Sequence, residues 1–126
     1  MDLVVTHGGD SKVSVLTGLG DGTFTLGVTL ASGRQPIGVQ VADMNGDAVA
    51  DLIVSDINGN EFWIHVGTGG LSFDSPQVFQ RRKTDPSPGI PFSLCARDLD
   101  GDQLTDLLVG YEGWGEVGVF LNRLLE

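Results

Sequence analysis

The chain has 126 residues, of which 19 are glycine, and its 17 acidic and 7 basic side chains give a net charge of −10. This length suits a single domain with its own core, and a hydrophobic content of 40% is too high for a disordered acidic tail. The negative charge opposes sequence-independent binding to nucleic acid, and no apolar run approaches the ~20 residues that span a membrane.

The chain repeats one short pattern three times. The sequence Asp-Leu-Val-Val at residues 2–5 returns as residues 51–54 and 106–109, at spacings of 49 and 55 residues. A second apolar run follows each copy, at residues 13–16, 62–66 and 117–121. The first copy lacks the Asp-rich segment that precedes the other two, and the last copy lacks the segment that follows the second apolar run. A period in this range indicates a repeat architecture such as a β-propeller.

The apolar runs predict short strands, because each is bounded by Gly, Asp, Asn or Pro. No window carries a sustained helical period, so we expect little helix. The complete repeat predicts strands at 37–42, 51–55, 61–66 and 76–81.

We therefore predict an all-β fold of four-stranded antiparallel propeller blades. Residues 1–34 would form a partial blade, 35–83 a full blade and 84–126 a second partial blade, about two and a half blades in all. A β-sandwich is the alternative, since short strands with frequent turns also suit it. The repeat favours the propeller.

Two nine-residue loops carry the strongest chemical signal. Alternate residues of a tight loop turn their oxygens inward, and several hard oxygens in one ring suit Ca²⁺. Neither loop offers Cys or His, which argues against zinc and copper. The predicted ligands at positions 1, 3, 5, 7 (backbone carbonyl) and 9 are Asp43, Asn45, Asp47, Val49 and Asp51 in the first loop, and Asp98, Asp100, Asp102, Leu104 and Asp106 in the second.

A polar turn is the alternative interpretation of an Asp-rich and Gly-rich segment. Two loops in the same register, each leading into an apolar strand, favour metal binding instead. An EF-hand would need Glu at the twelfth position, where Val54 and Val109 stand. Crowded carboxylates repel each other, so the predicted role of two calcium ions is structural.

The loops, together with residues 18–24 and 35–39, resemble the FG-GAP/VCBS repeats of integrin α chains and of bacterial secreted and surface proteins. The resemblance runs from Asp2 to Asn122. It implies a calcium-binding β-propeller in an extracellular or cell-surface parent protein, with the ten ligands named above. Ala48 and Gln103 occupy a position where the family often has glycine, a departure that bears on the turn and on affinity.

A few other residues have two interpretations each. Trp63, His65, Tyr111 and Trp114 could form a sugar-stacking pocket or pack in the core; we favour packing for Trp63 and leave Trp114 open. Cys95 is expected to be buried. The basic run 81–83 opens the longest loop, which we interpret as a linker between blades rather than a partner-binding loop.

The leading functional hypothesis is a non-catalytic, calcium-stabilised scaffold for adhesion or recognition, since no nucleophile–base pair or phosphate loop is evident. The alternatives are a lectin-like propeller and an accessory part of a larger secreted enzyme that acts on polysaccharides. Expected partners are further copies of the chain, through open blade edges, and a protein or carbohydrate ligand. We expect no binding to nucleic acid, no membrane insertion and no signal peptide.

Overall fold

The described part of the chain contains β-strands and no helix. The computed structural model describes residues 1–80, 89–113 and 115–123. Within these residues no helix is long and apolar enough to cross a membrane. The predicted all-β fold is confirmed. The strands are β1 (Leu3–His7), β2 (Lys12–Gly18), β3 (Phe24–Ala31), β4 (Pro36–Ala42), β5 (Asp51–Asp56), β6 (Glu61–His65), β7 (Gly67–Gly69), β8 (Ser72–Phe73), β9 (Gln77–Gln80), β10 (Ile90–Arg97), β11 (Asp106–Glu112) and β12 (Glu116–Phe120).

The strands form three main antiparallel sheets. Sheet I has the order β1-β2-β3, sheet II the order β4-β5-β6-β9, and sheet III the order β10-β11-β12. The strands of sheet II lie within one residue of those predicted for the complete repeat. Strands β7 and β8 form a small separate hairpin. Gly69, Gly70 and Leu71 all have positive φ, which lets the chain reverse within these few residues.

The three sheets share one register. Val4 faces Val15 in sheet I, and the equivalent pairs are Ile53 with Ile64 in sheet II and Leu108 with Val119 in sheet III. Because successive side chains of a strand point to opposite faces, this register gives each sheet the same two faces. One face carries the residues just named, and the other carries the residues on either side of them.

Sheet II lies between the other two sheets. Val13 and Val15 of sheet I pack with Leu52 and Val54 of sheet II in one buried cluster. A second cluster fills the space between sheets II and III, and it contains Ile53, Phe62, Leu107, Val109 and Tyr111. Strand β5 is therefore buried on both faces, which explains why three successive residues, Leu52 to Val54, are all apolar rather than alternating with polar ones.

The backbones of neighbouring sheets come closest at the first strands of each sheet. Strand β1 contacts β4, and β10 contacts both β4 and β5. The Thr6 hydroxyl donates a hydrogen bond of 2.9 Å to the carbonyl oxygen of Ile37, which ties β1 to β4. Antiparallel sheets stacked in this order, with their first strands adjacent, fit the arrangement of consecutive propeller blades.

Cys95 is exposed, so the prediction that it is buried was wrong. Its neighbours Leu94 and Ala96 pack against the core between sheets II and III. Alternation along the strand then turns Cys95 to the opposite face of sheet III, where it pairs with Leu108. The apolar stretch around Cys95 is real, but its burial is limited to every second residue.

Truncating the centre of the core tests this packing. We expect Ile53→Ala to lower the free energy of unfolding by about 2–5 kcal/mol, because the side chain is fully buried and leaves a cavity between sheets II and III. Urea unfolding gives the value. Leu108→Ala is the matched control, since it changes the equivalent but only half-buried position of sheet III and should cost less. Equal losses in the two variants would contradict the proposed layering.

Candidate metal centre

The aspartate at position 9 of each loop fastens a strand end. The Oδ2 atom of Asp51 accepts the N–H of Met44 at 2.7 Å, and its Oδ1 accepts the N–H of Gly67 at 2.8 Å. Asp106 accepts the corresponding bonds from Leu99 at 2.8 Å and Asn122 at 2.7 Å. Both aspartates are fully buried. The carboxylate thus satisfies backbone donors that burial would otherwise leave unpaired.

Sheet I carries a partial copy of the same arrangement. Asp2 accepts the N–H of Gly18 at 3.0 Å, across the same sequence separation as in the other two sheets. We call this bond the aspartate latch. It runs from the backbone N–H of Gly18, Gly67 or Asn122 to the aspartate 16 residues earlier in the chain. It recurs in all three repeats, so it is a property of the repeat.

The N–H groups around Asp106 favour its ionised form. Hydrogen bonds from the backbone N–H of Asn122 and then of Leu99 lower the pKa of Asp106, and the nearby Arg123 charge lowers it further. An ionised carboxylate is the form that binds a cation, so this residue is prepared for either role.

The aspartate at position 1 folds each loop. Asp43 accepts the N–H of Gly46 at 2.7 Å and of Ala48 at 2.8 Å, and the Ala48 bond is the main cause that lowers its pKa. In the second loop the same acceptor is Asp98, with bonds from Gly101 at 2.7 Å and Gln103 at 3.1 Å. One carboxylate therefore binds the backbone N–H groups at positions 4 and 6 of each loop.

Ala48 and Gln103 adopt the left-handed conformation that their position requires. Their φ angles are 64° and 71°, which costs a residue with a Cβ about 1–2 kcal/mol relative to the right-handed form. This conformation aims the N–H of each residue at the position 1 aspartate. The loops thus keep the geometry expected of glycine without having glycine there.

The second loop gathers carboxylates. Single oxygens of Asp98, Asp100 and Asp106 all lie within 4.8 Å of one another. In the described residues, the first loop does not bring three acidic side chains together in this way. Asn45 stands where the second loop has Asp100, and its amide donates to Asp47 at 3.0 Å. The two loops have the same backbone hydrogen bonds to the position 1 aspartate but differ in the number of carboxylates.

The remaining predicted ligands lie on the loop surfaces. Asp47 and Asp102 accept the N–H groups of Val49 at 2.8 Å and Leu104 at 2.9 Å. The assignment of the Val49 and Leu104 carbonyls as metal ligands stays a prediction.

Arg123 neutralises the outer part of the second loop. Its guanidinium nitrogen lies 2.8 Å from Asp100 and 3.4 Å from an oxygen of Asp102. The Arg123 side chain is about half exposed, so solvent screens these ion pairs and their contribution to stability is small. These ion pairs show that the second loop attracts a cationic group.

Asn122 connects the two loops. Its amide nitrogen donates to the carbonyl oxygen of Met44 in the first loop at 2.6 Å and to that of Thr105 in the second at 3.1 Å. The equivalent residues of the other repeats are Gly18 and Gly67, which have no side chain to do this. Sequence reasoning missed this residue because it lies outside the loop motif, although its departure from glycine in the aligned repeats was visible.

The three described candidates for a sugar pocket, Trp63, His65 and Tyr111, pack in or against the core. Trp63 is half-buried beside the cluster between sheets I and II, and its indole N–H donates to Glu61 at 2.9 Å. His65 is 1% exposed, and Tyr111 belongs to the cluster between sheets II and III. Trp114 and the basic run 81–83 lie outside the described residues.

Each histidine pairs with a serine from another part of the chain. His7 Nε2 lies 2.9 Å from the Ser14 hydroxyl, and His65 Nε2 lies 3.1 Å from that of Ser32. Both serines are buried, at 4% and 1% exposure, and Ser14 also bonds Thr29. These pairs satisfy polar groups inside the fold. Sequence reasoning missed these pairs, because neither histidine has a serine directly beside it in the chain.

Removing the Asn122 side chain should weaken the junction between the loops. We expect Asn122→Ala to lower the free energy of unfolding by about 1–3 kcal/mol, because two partly buried carbonyls lose their donor. Urea unfolding measures the loss. Asn58→Ala is the control, since the bond recorded for Asn58 uses its backbone N–H. A loss in Asn122→Ala no larger than in the control would show that the bridge contributes nothing.

Mild acid should destabilise the fold through His65. Burial lowers the pKa of His65, so the folded state disfavours its protonated form. The resulting stability is complete above the ordinary pKa of about 6.5 and is lost as the pH falls through the lower folded value. Unfolding free energies at pH 7.5 and 5.5 should therefore differ more in the wild type than in His65→Gln. An equal difference in the wild type and in His65→Gln would contradict the assignment to His65.

Comparison with known proteins found one match, which covers the first part of the chain. Residues 1–54 match the sequence model described as FG-GAP-like repeat. This segment holds sheet I, β4, the first Asp loop and the start of β5. Neither a search of curated proteins nor a search of solved structures found a match. The resemblance to FG-GAP repeats is confirmed, and the chain carries an FG-GAP-like repeat in its first 54 residues.

Proposed function

We propose that this chain is a calcium-binding repeat module that serves as a non-catalytic scaffold for recognition or adhesion outside the cell. The observation that carries the proposal is the convergence of Asp98, Asp100 and Asp106, whose oxygens lie within 4.8 Å of one another. The FG-GAP-like match supports it, because repeats of this family often bind calcium and are typically extracellular.

The chemistry of the donors fits calcium. Carboxylate oxygens are hard ligands, and Ca²⁺ accepts six to eight of them in flexible geometry, whereas Mg²⁺ prefers to keep its water. The N–H bonds that lower the pKa of Asp43 and Asp106 favour the charged form of each group. Each carboxylate oxygen has two lone pairs, so an oxygen that accepts one N–H can also bind an ion.

A bound calcium ion would supply positive charge that offsets the repulsion among the loop carboxylates. The effect of the ion on stability would depend on how the loops are joined to the sheets. Asp51 and Asp106 connect the loops to buried strand ends, and Asn122 joins one loop to the other. An ion in either loop would thus stabilise the junction of two sheets. This supports a structural role for the metal rather than a catalytic one.

Thermal unfolding with calcium and with a chelator tests the proposal. Calcium at a hundredfold excess over its dissociation constant should add about 2.7 kcal/mol of stability per site, which raises Tm by several degrees. Magnesium at the same concentration should have a much smaller effect. Identical midpoints in calcium and chelator would overturn the proposal and leave the loops as polar turns.

Single substitutions separate the two loops. Asp98→Asn should remove more of the calcium-dependent rise in Tm than Asp43→Asn, because only the second loop gathers three carboxylates among the described residues. Asp21→Asn is the control, since Asp21 lies in a turn where it bonds Thr23. Calorimetric titration gives the number of ions bound. A calcium effect that survives both loop substitutions would place the ion elsewhere.

A further inference from the structure

The outer face of sheet III exposes apolar residues at positions where the equivalent face of sheet II is covered. Val117 and Val119 are 64% and 56% exposed, and they lie on the face that also carries Leu108. The shared register makes Phe62 and Ile64 of sheet II their equivalents. Phe62 is 3% exposed, because sheet III covers that face.

Sheet I shows the complementary situation at the other end of the stack. Its outer face exposes Leu3 and Val5, at 41% and 39%. Their equivalents in sheet II are Leu52 and Val54, at 3% and 0%, which sheet I covers. The exposed faces of sheets I and III are therefore equivalent to the two faces that pack against each other where neighbouring sheets meet inside the chain.

We propose that a second copy of this chain stacks its sheet I onto sheet III, head to tail. The contact would repeat the step that already joins sheet I to sheet II and sheet II to sheet III. The face with Val117 and Val119 would cover Leu3 and Val5 of the next copy, as the face with Val13 and Val15 covers Leu52 and Val54. The inference does not depend on calcium.

The internal packing identifies a second copy as the occupant. Both faces belong to the same chain, and each has the register and residue type of a face that a neighbouring repeat buries. Such a contact joins two different surfaces, so copies add in one direction until their rotation closes a ring. Association through strand edges, expected from the sequence, would use backbone groups; the face contact uses the exposed apolar side chains.

Cys95 gives this interface a chemical probe. It pairs with Leu108, which in turn pairs with Val119, so the three form one row across the outer face of sheet III. The thiol is exposed in the single chain. Stacking of another sheet on this row would cover it. A thiol reagent should then react more slowly with the assembly than with the isolated chain.

The test uses two variants that each block one face. Val119→Lys disables the face of sheet III, and Val5→Lys disables that of sheet I. We expect wild type to associate as concentration rises, each variant alone to sediment as a monomer, and an equal mixture to form a dimer, because each partner contributes one intact face. Sedimentation velocity is run with calcium and again with chelator. Leu19→Lys is the control, since Leu19 is 61% exposed but lies in a turn.

Three results would overturn the proposal. Wild type could remain monomeric up to its highest soluble concentration. Val5→Lys alone could dimerise, which would mean that two sheets III pack on each other. Leu19→Lys could disrupt association as strongly as Val119→Lys, which would assign the effect to charge. Thiol reactivity is read in the same samples. Protection in the mixture of the Cys95 thiols of the Val5→Lys chain, which are half of the total, with no protection in either variant alone supports the assigned face.

Discussion

The hydrogen bond from a strand-end N–H to a repeat aspartate is the interaction on which the rest of the structure depends. Asp2, Asp51 and Asp106 each accept it from the same relative position. It closes the end of a two-strand unit and so helps to fix the register of that unit. Register decides which side chains face which neighbour, and the same two faces then recur in every sheet. Stacking, loop position and the two outer faces all follow from it.

The two Asp loops show how one backbone design can carry different chemistry. Both use a position 1 aspartate to organise the turn and a position 9 aspartate to fasten the strand. The second loop adds a carboxylate at Asp100, where the first has Asn45 and an amide that bonds within the loop. Arg123 then offers that extra charge an internal partner. The repeat supplies the frame, and single residues decide how strongly each frame attracts a cation.

The strands and loops could be predicted because their signals are local. Successive apolar residues such as Leu52 to Val54 indicate a strand, and the Asp residues at alternate loop positions bond only the nearby backbone. The exposure of Cys95 could not be predicted this way, because composition around a residue does not say which face of the strand it occupies. The bridge made by Asn122 depends on the approach of two loops far apart in sequence. The positive φ at Ala48 lies between these cases, since the position was recognised but not its conformation.

The bond from Asn122 to Met44 joins residues 78 positions apart. Contacts of such separation form late, because the chain between them must first be ordered. During synthesis, which proceeds from the N-terminus, the first Asp loop emerges well before the residue that joins it to the second. Sheets I and II can pack while the chain is still growing, but the environment of the first loop is completed only when the third repeat has been made. The order of translation therefore separates the formation of this loop from its final attachment.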